Sequence, residues 1–144
     1  MSAFASAQRP MMLGLSVEKL ITAWSSILPD VDKQAMLTHH DLGTHLVETI
    51  NEGLKHTADG WVDDSIATIS PWGFELDEIR VPVLLYQGSE DAMVPFGHGK
   101  WLAARLPKDV LTAELVEGEG HISIFIGREE EMVRRLLEMA GQAR

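Results

Sequence analysis

The stretch Ile79-Arg-Val-Pro-Val-Leu-Leu-Tyr-Gln-Gly-Ser-Glu-Asp-Ala-Met-Val-Pro95 decides the fold, together with Gly118-Glu-Gly-His121 further along the chain. Val81 to Tyr86 is a continuous apolar run rather than an alternating one, which suits a strand of a parallel sheet buried on both faces. Pro82 sits at its start, where a proline is tolerated. Gly88 permits a sharp exit, and Asp91 can turn back over the strand end. A helix from Gly97 to Leu106, ended by Pro107, leads to a second strand over Leu111 to Val116. Behind it stands His121, with Gly118 and Gly120 leaving the backbone free to aim the imidazole. One helix and one strand between Asp91 and His121 make the length of a right-handed crossover, so the two loops should emerge side by side. In open parallel sheets, ligands bind beyond the C-terminal strand ends.

An acid beside a histidine has a defined chemistry. A carboxylate accepting from imidazole Nδ1-H fixes the tautomer and stabilises imidazolium, which leaves Nε2 to take a proton from a nucleophile or water. Asp91 is then the orienting acid and His121 the base, with Glu90 a neighbouring acid in the same loop. Taken singly, each has an ordinary alternative. An Asp after a strand is commonly a turn or cap residue, and a His in a glycine-rich loop is commonly structural or exposed.

The joint pattern Ile-x-x-Pro-Val-Leu-x-x-x-Gly-x-x-Asp-x-x-Val-Pro with Gly-x-Gly-His resembles the C-terminal half of the α/β-hydrolase family, whose triad runs Ser, Asp or Glu, then His. The resemblance covers residues 71 to about 140. It implies an α/β protein with a partial α/β-hydrolase fold: a helical cap segment followed by two parallel strands with flanking helices. Asp91 and His121 are its catalytic residues, and ester or related acyl or carbon–carbon bond hydrolysis its reaction. Val94, Pro95 and Phe96 match the segment behind the acid loop, and Trp101, Leu102 and Leu106 read as the sheet-facing stripe of the next helix.

Residues 16–70 read as four helices without a strand. Ser16 can cap the first, in which Leu20, Ile21, Trp24, Ile27 and Leu28 repeat at helical spacing as far as Pro29. Asp30 caps a short helix over 31–38, and Asp41 opens a longer one that Gly53 can end, since a glycine costs about 1 kcal/mol against alanine there. Asp59 caps a fourth that stops at Ser70-Pro71. Many α/β-hydrolases carry a helical cap at this place, so the resemblance implies that some of Trp24, Trp61, Trp72 and the methionines line an acyl or aromatic pocket. The alternative is that they simply pack the helices. Residues 1–15 are expected to be a flexible N-terminus, and 71–144 the C-terminal part of the core. That part closes with a helix from Arg128 to Ala140, in which Glu130 and Glu131 are spaced to pair with Arg134 and Arg135.

The family's Gly-x-Ser-x-Gly elbow does not occur in these 144 residues. Gly14-Leu-Ser16 begins such a pattern, but Glu18 stands where the last glycine belongs, and Ser16 reads as a helix cap. Ser89 and Ser123 lie close to the acid and the histidine without standing on an elbow. His39, His40 and His45 with Asp41 follow no established ligand spacing, so no metal or cofactor is expected.

A net charge of −10 and a pI near 4.9 disfavour nucleic acid and anionic membranes as partners and favour small neutral or apolar substrates. With 45% apolar residues, no Cys and no secretory signal, the chain is expected to be a globular cytoplasmic protein. Two functions are compatible with all this. In the first, the chain is the cap and C-terminal portion of an α/β-hydrolase, inactive alone and completed by a nucleophile-bearing half from a separate chain or from further sequence. In the second, it is a non-catalytic remnant or interaction protein that forms a homodimer through open sheet edges.

Overall fold

A computed structural model describes residues 2–39 and 41–142. Five helices come first: α1 Ser2–Met12, α2 Val17–Ala23, α3 Asp30–Thr38, α4 Leu42–Gly53 and α5 Asp59–Ile69. Then follow β1 Val83–Gly88, α6 Phe96–Arg105, β2 Leu111–Val116 and α7 Glu129–Gln142, with short 3-10 turns at Leu76–Glu78 and Ser123–Phe125. Among the described residues the architecture is thus α/β, seven helices and one two-stranded sheet, compatible with part of an α/β-hydrolase. β1 and β2 run parallel, in register from Val83 opposite Leu111 to Gly88 opposite Val116.

Local chemistry explains the start of α2. Ser16 Oγ accepts from Lys19 N-H at 3.3 Å and caps α2. Asp30 and Asp59, expected as caps, do not cap. Pro29 and Ala58 hold the N-cap positions of α3 and α5, so Asp30 and Asp59 lie one residue further in, where the helix dipole favours acids. Asp41 opens α4 as expected, holding its N-cap position in a left-handed conformation with φ of 59°, and its carbonyl accepts from His45 N-H at 2.8 Å. α2 stops at Ala23 and continues as turns to Ile27, short of Pro29.

The N-terminal stretch expected to be loose is helical instead. α1 packs on α5 with Ala5 buried, and Arg9 donates to the carbonyls of Leu54 and Lys55, each at 2.6 Å. Those carbonyls close the end of α4, where a cation is favoured.

The buried core is not where a parallel sheet would put it. Leu20, Leu28, Ala35, Met36 and Ile122 form one cluster, joining α2 and α3 to the loop after β2. Val83, Leu84, Leu85 and Tyr86, expected to be buried on both faces, are only half-buried. The reason is the width of the sheet: α6 covers one face, and on the other Arg135 of α7 donates to Tyr86 Oη at 2.8 Å and to Glu114 at 2.9 Å, but each strand has a single neighbour. The Glu114 bond, the largest influence, holds the Arg135 guanidinium above its ordinary pKa. Along α7, Glu131 pairs with Arg135 as its spacing requires, whereas Arg134 turns to Glu138 rather than Glu130. Trp101, expected in the sheet-facing stripe, is 43% exposed and meets Trp72 edge-on at 6.4 Å, whereas Leu102 is half-buried and Leu106 buried.

No helix among the described residues is long and apolar enough to cross a membrane. Since stability is concentrated where α2 and α3 meet Ile122, Leu20→Ala should cost about 2–5 kcal/mol. Leu137→Ala, at an exposed position on α7, should stay within about 0.5 kcal/mol. Urea unfolding midpoints of the two variants check the contrast.

Candidate functional site

Asp91 and His121 meet at the C-terminal ends of β1 and β2, with Asp91 Oδ2 2.9 Å from His121 Nδ1. The two loops are laced together before the side chains touch. Ser89 N-H donates to Val116 O at 2.9 Å, Glu90 N-H to Glu119 O at 2.8 Å, and Gly118 N-H to Ser89 Oγ at 2.8 Å. A Cβ on Gly88 would overlap the backbone of Glu119 and Gly120, so that glycine serves the close approach of the loops. Gly118 has a φ of 77°, the left-handed conformation that swings the chain back toward the acid.

Asp91 is buried and saturated with donors. Its Oδ1 accepts from Met93 and Val94 N-H at 2.9 and 2.8 Å, closing a local turn, and its Oδ2 accepts from Gln87 Nε2 at 2.8 Å besides facing the imidazole. Gln87, also buried, ties the carboxylate to Val94 O at 3.0 Å through the same nitrogen. Nothing in the sequence singled it out, because a Gln inside an apolar strand has no signature of its own. Glu90 is exposed.

His121 is held from both ends. While its ring faces Asp91, its main-chain N-H donates to Oδ2 of Asp32 at 2.9 Å. Asp32 Oδ1 accepts from the next two N-H groups, of Ile122 at 3.0 Å and Ser123 at 2.8 Å. This carboxylate comes from the first turn of α3 and is fully buried. Hydrogen bonds to a charged group are each worth about 1.5–3 kcal/mol, so three of them offset a desolvation penalty of several kcal/mol. A Cβ at Gly120 would overlap the Asp32 carboxylate, so this glycine makes room for the acid rather than freeing the loop. Asp32 was passed over in the sequence because it looks like any first-turn helix acid.

The three serines weighed as nucleophiles have structural partners. Ser16 caps α2, Ser89 accepts from Gly118, and Ser123 Oγ accepts from Gly120 N-H at 2.8 Å while the residue is buried. Arg128 pairs with Glu119 at 2.9 Å and closes the loop from outside.

With Nδ1 turned to Asp91, the imidazole presents Nε2 to its surroundings, and 42% of the side chain is exposed. It borders a cleft of about 710 Å³ whose apolar wall is Leu42, Leu46, Ile122, Phe125 and Ile126, with His39, Asp41 and His45 also lining it. His40 lies outside the described residues, and among the described ones no group of three His, Cys, Asp or Glu is placed to hold a metal. A second cavity, about 620 Å³, brings Trp24 and Trp61 together with Met12, Ile50, Leu54 and Met93 of the acid loop. Trp72 is not part of it and stacks on Phe74 at 5.8 Å on the outer surface. Two apolar hollows thus lie near the pair, one bordered by His121 and the other by Met93 of the acid loop. The arrangement can move a proton at Nε2 beside an apolar group.

No protein-family model matches the chain, and no solved structure matches it. Two curated proteins do, over short segments. The pimeloyl-(acyl-carrier protein) methyl ester esterase of Aromatoleum aromaticum is 47% identical over 36 residues, 25% of this chain and 14% of that protein. The enzyme of the same description from Chromobacterium violaceum is 37% identical over 60 residues, 42% of this chain and 22% of that protein. The chain therefore matches less than a quarter of the length of either relative, and the likeness supports a hydrolase-like function in general terms.

Proposed function

We propose that this chain supplies the acid and the base of a serine-hydrolase triad acting on carboxylic esters, with the nucleophile provided from outside these 144 residues. The observation that carries the reading is the 2.9 Å bond between Asp91 and His121 at the ends of two paired parallel strands. In this scheme a serine Oγ attacks the ester carbonyl as His121 Nε2 takes its proton. His121 Nδ1-H keeps donating to the Asp91 carboxylate, which stabilises the imidazolium. The proton then passes from Nε2 to the departing alkoxide, and water enters by the same route to release the acid and the serine. Leu42, Leu46, Phe125 and Ile126 favour an uncharged, apolar acyl or alcohol group beside the ring. The descriptions of the two relatives make methyl esters of acyl chains the first substrates to try.

A serine-directed fluorophosphonate and a chromogenic acyl ester test the scheme. The chain alone should neither be labelled nor hydrolyse the ester faster than its His121→Ala variant. When it is joined or bound to a polypeptide carrying Gly-x-Ser-x-Gly, turnover should appear, and His121→Ala should lower kcat by about 10³-fold or more. Stoichiometric labelling of a serine within this chain would show that it carries its own nucleophile. Turnover indifferent to His121→Ala would remove the histidine from the chemistry.

One observation favours the second reading, a non-catalytic association module. Among the described residues, β1 and β2 each keep one edge without a strand partner, and their apolar side chains are half-buried or exposed. Such edges template pairing with another chain. Under this reading, light scattering finds a homodimer at micromolar concentration and the ester assay stays silent with every partner. A well-folded monomer at that concentration counts against it.

A further inference from the structure

Among the described residues, the main chain of His121 makes one hydrogen bond, and it goes to Asp32, 89 residues earlier. The same carboxylate takes the N-H groups of Ile122 and Ser123, at the entrance to the 3-10 turn Ser123–Phe125. Helix starts leave such donors without intrahelical partners, and here one buried acid from α3 collects three in succession. Other ties of the loop fall short of the histidine. Glu119 is held by Glu90 and Arg128, and Gly120 by Ser123. Turning the His121 peptide away from α3 would therefore carry its Cα, and with it the ring, off the Asp91 carboxylate.

We propose that Asp32 is a positioning residue for His121: its carboxylate clamps the histidine's own peptide, so that Nδ1 reaches Asp91 only while α3 is docked on the loop. The clamp makes the cap-like helices a condition of the acid–base pair, rather than a cover laid over it. A substrate that displaces α3 would disarm the histidine, and one that presses α3 home would set it. The proposal rests on the reading of Asp91 and His121 as a working pair, but turnover is not needed to examine it.

Imidazole nitrogen shifts in a long-range ¹H–¹⁵N spectrum of the whole chain, taken where the ring is neutral, report which nitrogen carries the proton. In the native chain His121 should be in the Nδ1-H form. Asp32→Asn keeps the size of the side chain but turns one acceptor into a donor facing an N-H group. In this variant, folded by circular dichroism, the Nδ1-H form should be lost in favour of the mixture seen for free imidazole. Met36→Ala, which opens the neighbouring core without touching the clamp, should keep it. Asp32→Asn retaining the native tautomer overturns the clamp. A mixed tautomer already present in the native chain overturns the Asp91–His121 pair itself, so the two failures are distinguishable. Should Asp32→Asn not fold, native-state hydrogen exchange on the unmodified chain decides. The amides of 121–123 should open together with those of α3, and opening of the loop at lower denaturant than α3 overturns the proposal.

Discussion

A carboxylate buried without a cation must be satisfied by donors, and Asp32 is satisfied by three consecutive main-chain N-H groups of the loop that carries His121. Much of the arrangement follows from that requirement. Gly120 has no side chain because the acid occupies its place, and Ile122, held in line behind it, enters the core between α2 and α3. The cap-like helices and the β-α-β segment are therefore not two modules joined by a linker. They share one core, and that core lies at the seam between them.

The seam also holds the site together although its sheet is narrow. A pair of strands with free edges cannot bury a side chain on both faces, and here the apolar run of β1 stays half-exposed. The ends of the strands are nonetheless pinned by Gln87, by the bonds between the two loops and by the grip of α3. Rigidity at the Asp91–His121 pair thus comes from polar contacts around it rather than from the sheet beneath it. Hydrogen bonds inside a low-dielectric seam are stronger than the same bonds in water, which makes this a workable substitute for packing.

What the sequence disclosed was what short-range physics controls. A continuous apolar run, a glycine exit and a crossover of the right length locate β1, β2 and the meeting of Asp91 with His121, because each signal lies within a few residues of the feature it specifies. Helix existence was equally readable in residues 16–70, while the starts shifted by a residue because Pro29 and Ala58 took the N-cap positions in place of the aspartates. α1 was missed, since its stability comes from packing on α5 and from Arg9 reaching the carbonyls at the end of α4, neither of which leaves a local trace. Asp32 and Gln87 escaped for the same reason. Asp30 and Asp32 are indistinguishable as letters in one helical turn, yet one is in water and the other has no exposed surface.

The separation of Asp32 from its donors, 89 to 91 residues, has a consequence for how the chain is made. On a ribosome adding residues at about 5–20 per second, α3 emerges several seconds before the loop that must receive it. During that interval its acid stays hydrated and the apolar faces of α2 and α3 lack Ile122. The helices can form as they appear, but the core between them is complete only once Ile122 arrives. Assembly is thereby deferred until the histidine loop has been made, when α2, α3 and that loop can close on each other in one step.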